Sequence, residues 1–139
     1  MIKFRMTKIG IDQFAILGDT ISPARIDMVT SLGFGYSLEG HRIAVNLELE
    51  FSNEKEKMML LKTTCEFEIA SEDWDNLISD NKLVVPKTTL EYFAMQTVGT
   101  SRGILFCKTE GTPFSSIIVP PIDVTKLVPN DMNVDLPQS

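Results

Sequence analysis

His41 is the single histidine in 139 residues, and so the one side chain whose ordinary pKa suits proton transfer near neutral pH. It sits between Gly40 and Arg42, where a turn interrupts two alternating runs, and no GxSxG or HExxH pattern surrounds it. That setting favours a turn residue over a catalytic base. The two cysteines, Cys65 and Cys107, fall on different predicted elements with no CxxC spacing and no histidine nearby. They support neither a metal site nor a disulfide framework, and both are expected as buried free thiols. Carboxylates come in i, i+2 pairs, Glu48 with Glu50 and Glu66 with Glu68. On strands this spacing puts each pair on one polar face, a solvated surface or a docking face for basic groups. Acid–base work by such a pair would need a cleft and raised pKa values. Gly33-Phe34-Gly35 lies inside a strand pattern rather than before a helix, so it is no phosphate loop. Arg102, in a Ser-Arg-Gly triplet, could clamp an anion but reads more simply as a cap for backbone carbonyls or a partner for a strand glutamate. The expectation is a protein without catalytic residue, metal or cofactor, and not an enzyme.

Whole-chain properties narrow the partners. A formal net charge of −6 disfavours nucleic acid and anionic membranes, whose phosphates call for a basic surface. With 43% hydrophobic and 23% charged residues, the chain has enough apolar material for one core but not for two independent ones at this length. No run approaches the roughly 18–20 apolar residues of a membrane span, and the beginning lacks a signal peptide's order of charges, so a cytoplasmic location is expected.

The elements that must carry these residues follow from periodicity. Residues 26–38 alternate, with Ile26, Met28, Thr30, Leu32, Phe34, Tyr36 and Leu38 on one face. Residues 43–51 alternate likewise through Ile43, Val45, Leu47, Leu49 and Phe51, and the two runs form a hairpin. A charged turn over 52–57 leads to a third strand through Met59, Leu61, Thr63, Cys65, Phe67 and Ile69. The N-terminal stretch alternates as Ile2, Phe4, Met6 and then Ile9, Ile11; the phase change predicts a bulge near Thr7 in a fourth, edge strand. Residues 18–24 read as a connecting loop.

Beyond Ile69, Ser71 is expected to cap a short helix through Trp74 to about Ile78, and residues 79–81 stop it. Pro86 suits the start of a long helix. Its buried face is predicted as Leu90, Phe93, Ala94, Thr97, Val98, Ser101, Ile104 and Leu105. Gly99 and Gly103 either permit close backbone approach or end the helix, making residues 103–109 another strand; a continuous helix is favoured. The Pro-containing segment over 115–128 should lie extended on the surface. The fold class is thus α+β, a four-stranded antiparallel sheet followed by a short and a long helix, in one domain over residues 1–128 with a short tail over 129–139.

Met58, Leu60, Trp74, Tyr92, Met95, Phe106 and Phe114 fall outside the clean inward faces. Such a surplus suits a surface that accepts varied partners, because methionine and aromatic side chains adapt in shape and bring large contact area.

The second half of the chain resembles the SecB family, bacterial chaperones that hold unfolded preproteins. Phe67-Glu68-Ile69-Ala70 matches the end of a family strand, Pro86 the proline that opens the main helix, and Ser101-Arg102-Gly103 a triplet within it. The apolar stretch over 117–124, around Pro120 and Pro121, matches the family's close. Order and spacing across residues 58–128 carry the resemblance. Two departures stand out: about eight residues, 104–111, look inserted, and the long acidic C-terminal tail is missing, which puts handover to the SecA motor in doubt. The resemblance implies an ATP-independent chaperone whose clients are unfolded polypeptides, a preprotein or an antitoxin, working as a homodimer or homotetramer. On that reading Met58, Leu60, Trp74 and Phe106 are expected to contact the client. Tyr92, Met95, Gly99 and Gly103 are expected at the oligomer interface, and Glu48, Glu50, Glu66 and Glu68 form an acidic docking face. The alternatives are an adaptor of the same fold without chaperone activity and a small-ligand-binding module with a pocket between helix and sheet.

Overall fold

The computed structural model describes residues 2–19 and 25–137. Four long strands, β1 (Phe4–Ile16), β2 (Ile26–Ser37), β3 (Arg42–Asn53) and β4 (Glu56–Ile69), form one antiparallel sheet in the order β1-β4-β3-β2. The N-terminal strand therefore lies at an edge, as its sequence suggests. Of the loop expected over 18–24, residues 20–24 lie outside the described residues.

Alternation decides which side of the sheet is the core. Ile43, Val45, Leu47, Leu49 and Phe51 of β3 and Met59, Leu61, Thr63, Cys65, Phe67 and Ile69 of β4 are all buried. Edge strand β1 needs two corrections of phase to keep its apolar residues on that side. Its register with β4 shifts between Met6 and Lys8 and again between Ile11 and Gln13. Each shift flips the side-chain parity, so Phe4, Met6, Ile9, Ile11, Phe14 and Ile16 stand opposite Ile69, Phe67, Cys65, Thr63, Leu61 and Met59, all on one face. The sequence predicts the first bulge; the second, at Asp12, it does not.

The core is closed by α2 (Lys87–Thr109), a 23-residue helix packed over β3 and β4. Pro86 caps it, its carbonyl accepting from the backbone N–H of Thr89 and Leu90 at 3.0 and 3.1 Å. Leu90, Phe93, Ala94, Thr97, Val98, Ser101, Leu105 and Thr109 are its buried residues. The helix runs through Gly99 and Gly103 without a break, so residues 103–109 are helix, not strand. Phe93 stacks on Phe67 with centroids 4.4 Å apart and meets Phe4 edge-on at 4.8 Å, tying helix, β4 and β1 together.

Shorter elements hold the rest. Helix α1 (Ser71–Leu77) starts one residue earlier than expected: Ala70 is its N-cap, without a side-chain cap, and Ser71 is already helical. A second, three-stranded sheet that the sequence reading does not contain joins β5 (Ile78–Ser79), β6 (Lys82–Val85) and β7 (Met132–Asp135). The β5–β6 turn places Asp80 and Asn81 at φ of 52° and 61°, the left-handed pair that a tight hairpin needs. Strand β7 lies within the expected tail over 129–139. Asn81 secures it by donating from its side chain to the Leu136 carbonyl at 2.8 Å, and its own carbonyl accepts from the Leu136 N–H at 2.9 Å. Between α2 and β7, Phe114, Ile117, Val119, Val124 and Val128 are buried, with α3 (Val124–Leu127) near the end of that segment.

Candidate functional site

Helix α2 covers the two central strands, not the sheet's whole face. Along β1 the apolar side chains on the helix side are consequently left partly open: Ile9 is 54% and Ile11 44% exposed. Near the start of the strand the gap becomes a groove of about 490 Å³ lined by Ile2, Phe4, Pro86, Thr88, Thr89, Tyr92 and Gln96. One wall is the beginning of β1; the other is the α2 row Thr88, Tyr92, Gln96, spaced by one helical turn. No charged side chain lines it. On the other flank of α2 a second groove of about 360 Å³ is lined by Gly99, Arg102, Gly103, Phe106, Ile117 and Ile118. Phe106 is 62% exposed there, and a Cβ added at Gly99 or Gly103 would meet nothing within 4 Å.

Arg102 holds the outer wall of this second groove. Its Nε donates to the Val119 carbonyl at 2.9 Å and its Nη2 to that of Pro120 at 3.3 Å, the carbonyl-capping role that the sequence suggests. Beneath α2 runs a buried polar seam: the Thr63 and Ser101 hydroxyls are 2.8 Å apart, and the Cys65 thiol is hydrogen-bonded to Thr97 and Thr100. Burial pushes the Cys65 pKa up more than those hydrogen bonds lower it, so it stays a neutral thiol. Cys107 is exposed, which corrects the expectation of two buried cysteines.

The structure separates the four residues expected to contact clients. Met58 is buried in the core beside the break in β3–β4 register, and Trp74 is 2% exposed, stacked on the His41 ring at a centroid distance of 5.3 Å. Leu60 stands opposite Ala15 and Glu50 on the sheet face turned away from α2, whereas Phe106 lies on the open side of α2. They do not line one groove. The four expected at an interface do share a surface: Tyr92, Met95, Gly99 and Gly103 are all exposed along α2.

Three of the four glutamates expected as an acidic docking face stand in ion pairs. Glu68 meets Arg5 at 3.2 Å, Glu66 meets Lys8 at 3.6 Å and Arg42 at 3.9 Å, Glu50 meets Lys57 at 3.2 Å, and Glu48 stands across from Lys62. Sequence reasoning missed this because it counted the glutamates along one strand without the cations that register brings opposite them. It also missed the open row on β1, although Ile9 and Ile11 were visible in the alternation; their exposure depends on where α2 stops covering the sheet.

Among the described residues no group of three or more His, Cys, Asp or Glu side chains is placed to hold a metal ion, and no helix is long and apolar enough to cross a membrane. What the grooves can do chemically is take up apolar side chains.

No family model matches the chain, and no curated protein matches it in sequence. Among solved structures, a SecB-like chaperone of Mycobacterium tuberculosis, determined in complex with a ChAD peptide from the HigA1 antitoxin, is similar with a TM-score of 0.50 and 11% identity, over 86% of this chain and 91% of that one. A protein of unknown function from Streptococcus agalactiae is similar at a TM-score of 0.37 and 9% identity, over 79% of this chain and 90% of that one. The architecture built above, a four-stranded antiparallel sheet followed by helices, is thus a SecB-like α+β fold.

Proposed function

We propose that this protein is an ATP-independent, chaperone-like binder of non-native polypeptides, and that clients lie along β1 beside α2. The observation that carries the reading is the open apolar row on the helix side of β1, Ile9 and Ile11, together with the uncharged groove at Phe4 and Tyr92. Soluble domains rarely leave such surface contiguous and open without a partner. The solved neighbour supports the reading, since a SecB-like chaperone of similar fold was determined in complex with a peptide from an antitoxin. Export of preproteins and protection of an antitoxin, the two roles that the family resemblance implies, both use this act. Self-association as a homodimer or homotetramer belongs to the same proposal, with the exposed α2 surface of Tyr92, Met95, Gly99 and Gly103 as one contact.

Isothermal titration with an unfolded polypeptide tests the binding. Burial of apolar surface predicts a negative heat-capacity change. Because Glu50, Glu66 and Glu68 already have cationic partners, raising salt should change the affinity little, even for a basic client. Thr89→Glu, which places a charge on the groove wall outside the α2 contact, should weaken binding at least tenfold. Unchanged affinity in that variant would move the client elsewhere.

A further inference from the structure

The two grooves beside α2 differ in one respect: a cation lines the second. Of the four arginines, Arg5, Arg25 and Arg42 each meet a carboxylate, whereas among the described residues Arg102 forms no ion pair. Its hydrogen bonds to the Val119 and Pro120 carbonyls use two of a guanidinium's five N–H donors and leave its charge without an anion. The rest of the lining, Gly99, Gly103, Phe106, Ile117 and Ile118, is apolar or has no side chain. Gly99, Gly103 and Phe106 follow one another by about one turn, so the groove runs about 10 Å along the helix. Ile118 is 68% exposed and faces it beside the open Phe106, an apolar pair left in solvent.

We propose that this groove binds a single amphipathic carboxylate, its acyl chain laid between Phe106 and Ile118 and its head on the unused donors of Arg102. A guanidinium gives a carboxylate short, charge-assisted hydrogen bonds, and one charged group in an otherwise apolar lining fixes the head while the walls take the body. The volume of about 360 Å³ falls within the roughly 300–1,000 Å³ of small-molecule sites. The wall opposite α2 suits a polypeptide less well. Arg102 occupies the Val119 and Pro120 carbonyls, the Ile117 N–H donates to the Phe114 carbonyl at 3.0 Å, and Pro120 and Pro121 have no N–H. An extended chain finds no continuous ladder to join there, whereas an acyl chain needs none. An anionic membrane is disfavoured by the net charge of −6, which leaves the free amphiphile. Gly99 and Gly103 are shared with the proposed contact between copies, but Arg102, Phe106, Ile117 and Ile118 are not. The inference does not rest on polypeptide binding.

Isothermal titration of the full chain with decanoate, kept below micelle-forming concentration, tests it, with decylammonium as the same chain under the opposite head. Decanoate should bind at one per chain and at least tenfold more tightly than decylammonium, although a net charge of −6 by itself favours the cation. Ile118→Glu sets a carboxylate where the ligand's head would lie and should weaken decanoate binding at least tenfold. Ile118 is exposed, so the thermal melt of that variant should stay close to wild type. Arg102→Gln removes the charge and should abolish the preference for the anion. No decanoate binding, equal affinity for the two heads, or unchanged decanoate affinity in Ile118→Glu would overturn the proposal. So would co-sedimentation with anionic vesicles that Ile118→Glu abolishes, which assigns the groove to a membrane. Binding of an acidic unfolded polypeptide that Ile118→Glu abolishes, with decanoate unable to compete, would also overturn it and give the groove to a client.

Discussion

Arg102 joins α2 to the segment that closes the core, because its guanidinium reaches two consecutive carbonyls, those of Val119 and Pro120. Hydrogen bonds from a charged donor contribute about 1.5–3 kcal/mol each when both partners are present. Arg102 is only partly buried, so Arg102→Ala should cost roughly 1–3 kcal/mol in urea denaturation. Arg102→Lys should recover little of it, since an ammonium lacks the fork that spans both oxygens. The cysteines allow a second check. Cys107 should react with a thiol reagent in the native protein, whereas Cys65, buried, protonated and hydrogen-bonded to Thr97 and Thr100, should react only on unfolding. Asp123 supplies a pH dependence: its hydrogen bonds to Thr125 hold its pKa below the usual carboxylate value. A depressed carboxyl pKa stabilises the fold above its unfolded value of about 4 and loses that contribution as pH falls through the folded value. Replacing Asp123 with Asn should therefore flatten the acid limb of the stability curve, measured by thermal melts below pH 5.

The long elements were legible in sequence because their periods are long and unambiguous. Residues 43–51 and 59–69 alternate without error, and the buried face of α2 matches the three- and four-residue steps from Leu90 to Leu105 except at Ile104, which is only half-buried. What escaped was short or set by register. Strands β5 and β7 are two and four residues long, too short for a period, and the Asp80-Asn81 turn looks from sequence like a simple stop. The bulge at Asp12 and the cations opposite Glu50, Glu66 and Glu68 exist only once strands are paired. The two glycines in α2 were seen, and the structure fixes what they do within a subunit: neither is crowded. Alanine at Gly99 or Gly103 should then stabilise the isolated subunit by about 1 kcal/mol through helix propensity. Gly99→Leu should instead weaken association without lowering subunit stability, read by sedimentation beside urea denaturation. If Gly99→Leu assembles normally, the open side of α2 is not a contact between copies.

At the scale of the whole molecule, one design accounts for the grooves and for the incomplete cover. A single helix spans the two central strands, the apolar side of β1 stays open beside it, and charge on the opposite sheet face is locked in pairs. Affinity for a client would come from apolar area, at about 25 cal/mol per Å² less the cost of ordering the chain, so binding should be broad and modest. Aggregation of a chemically unfolded, unrelated protein, followed by light scattering after dilution without nucleotide, tests this most directly. The wild-type chain should suppress scattering near stoichiometric ratio, and Ile9→Asp/Ile11→Asp should lose most of the protection while melting close to wild type. No suppression with any of several unfolded proteins, or full protection by the double variant, would contradict the account.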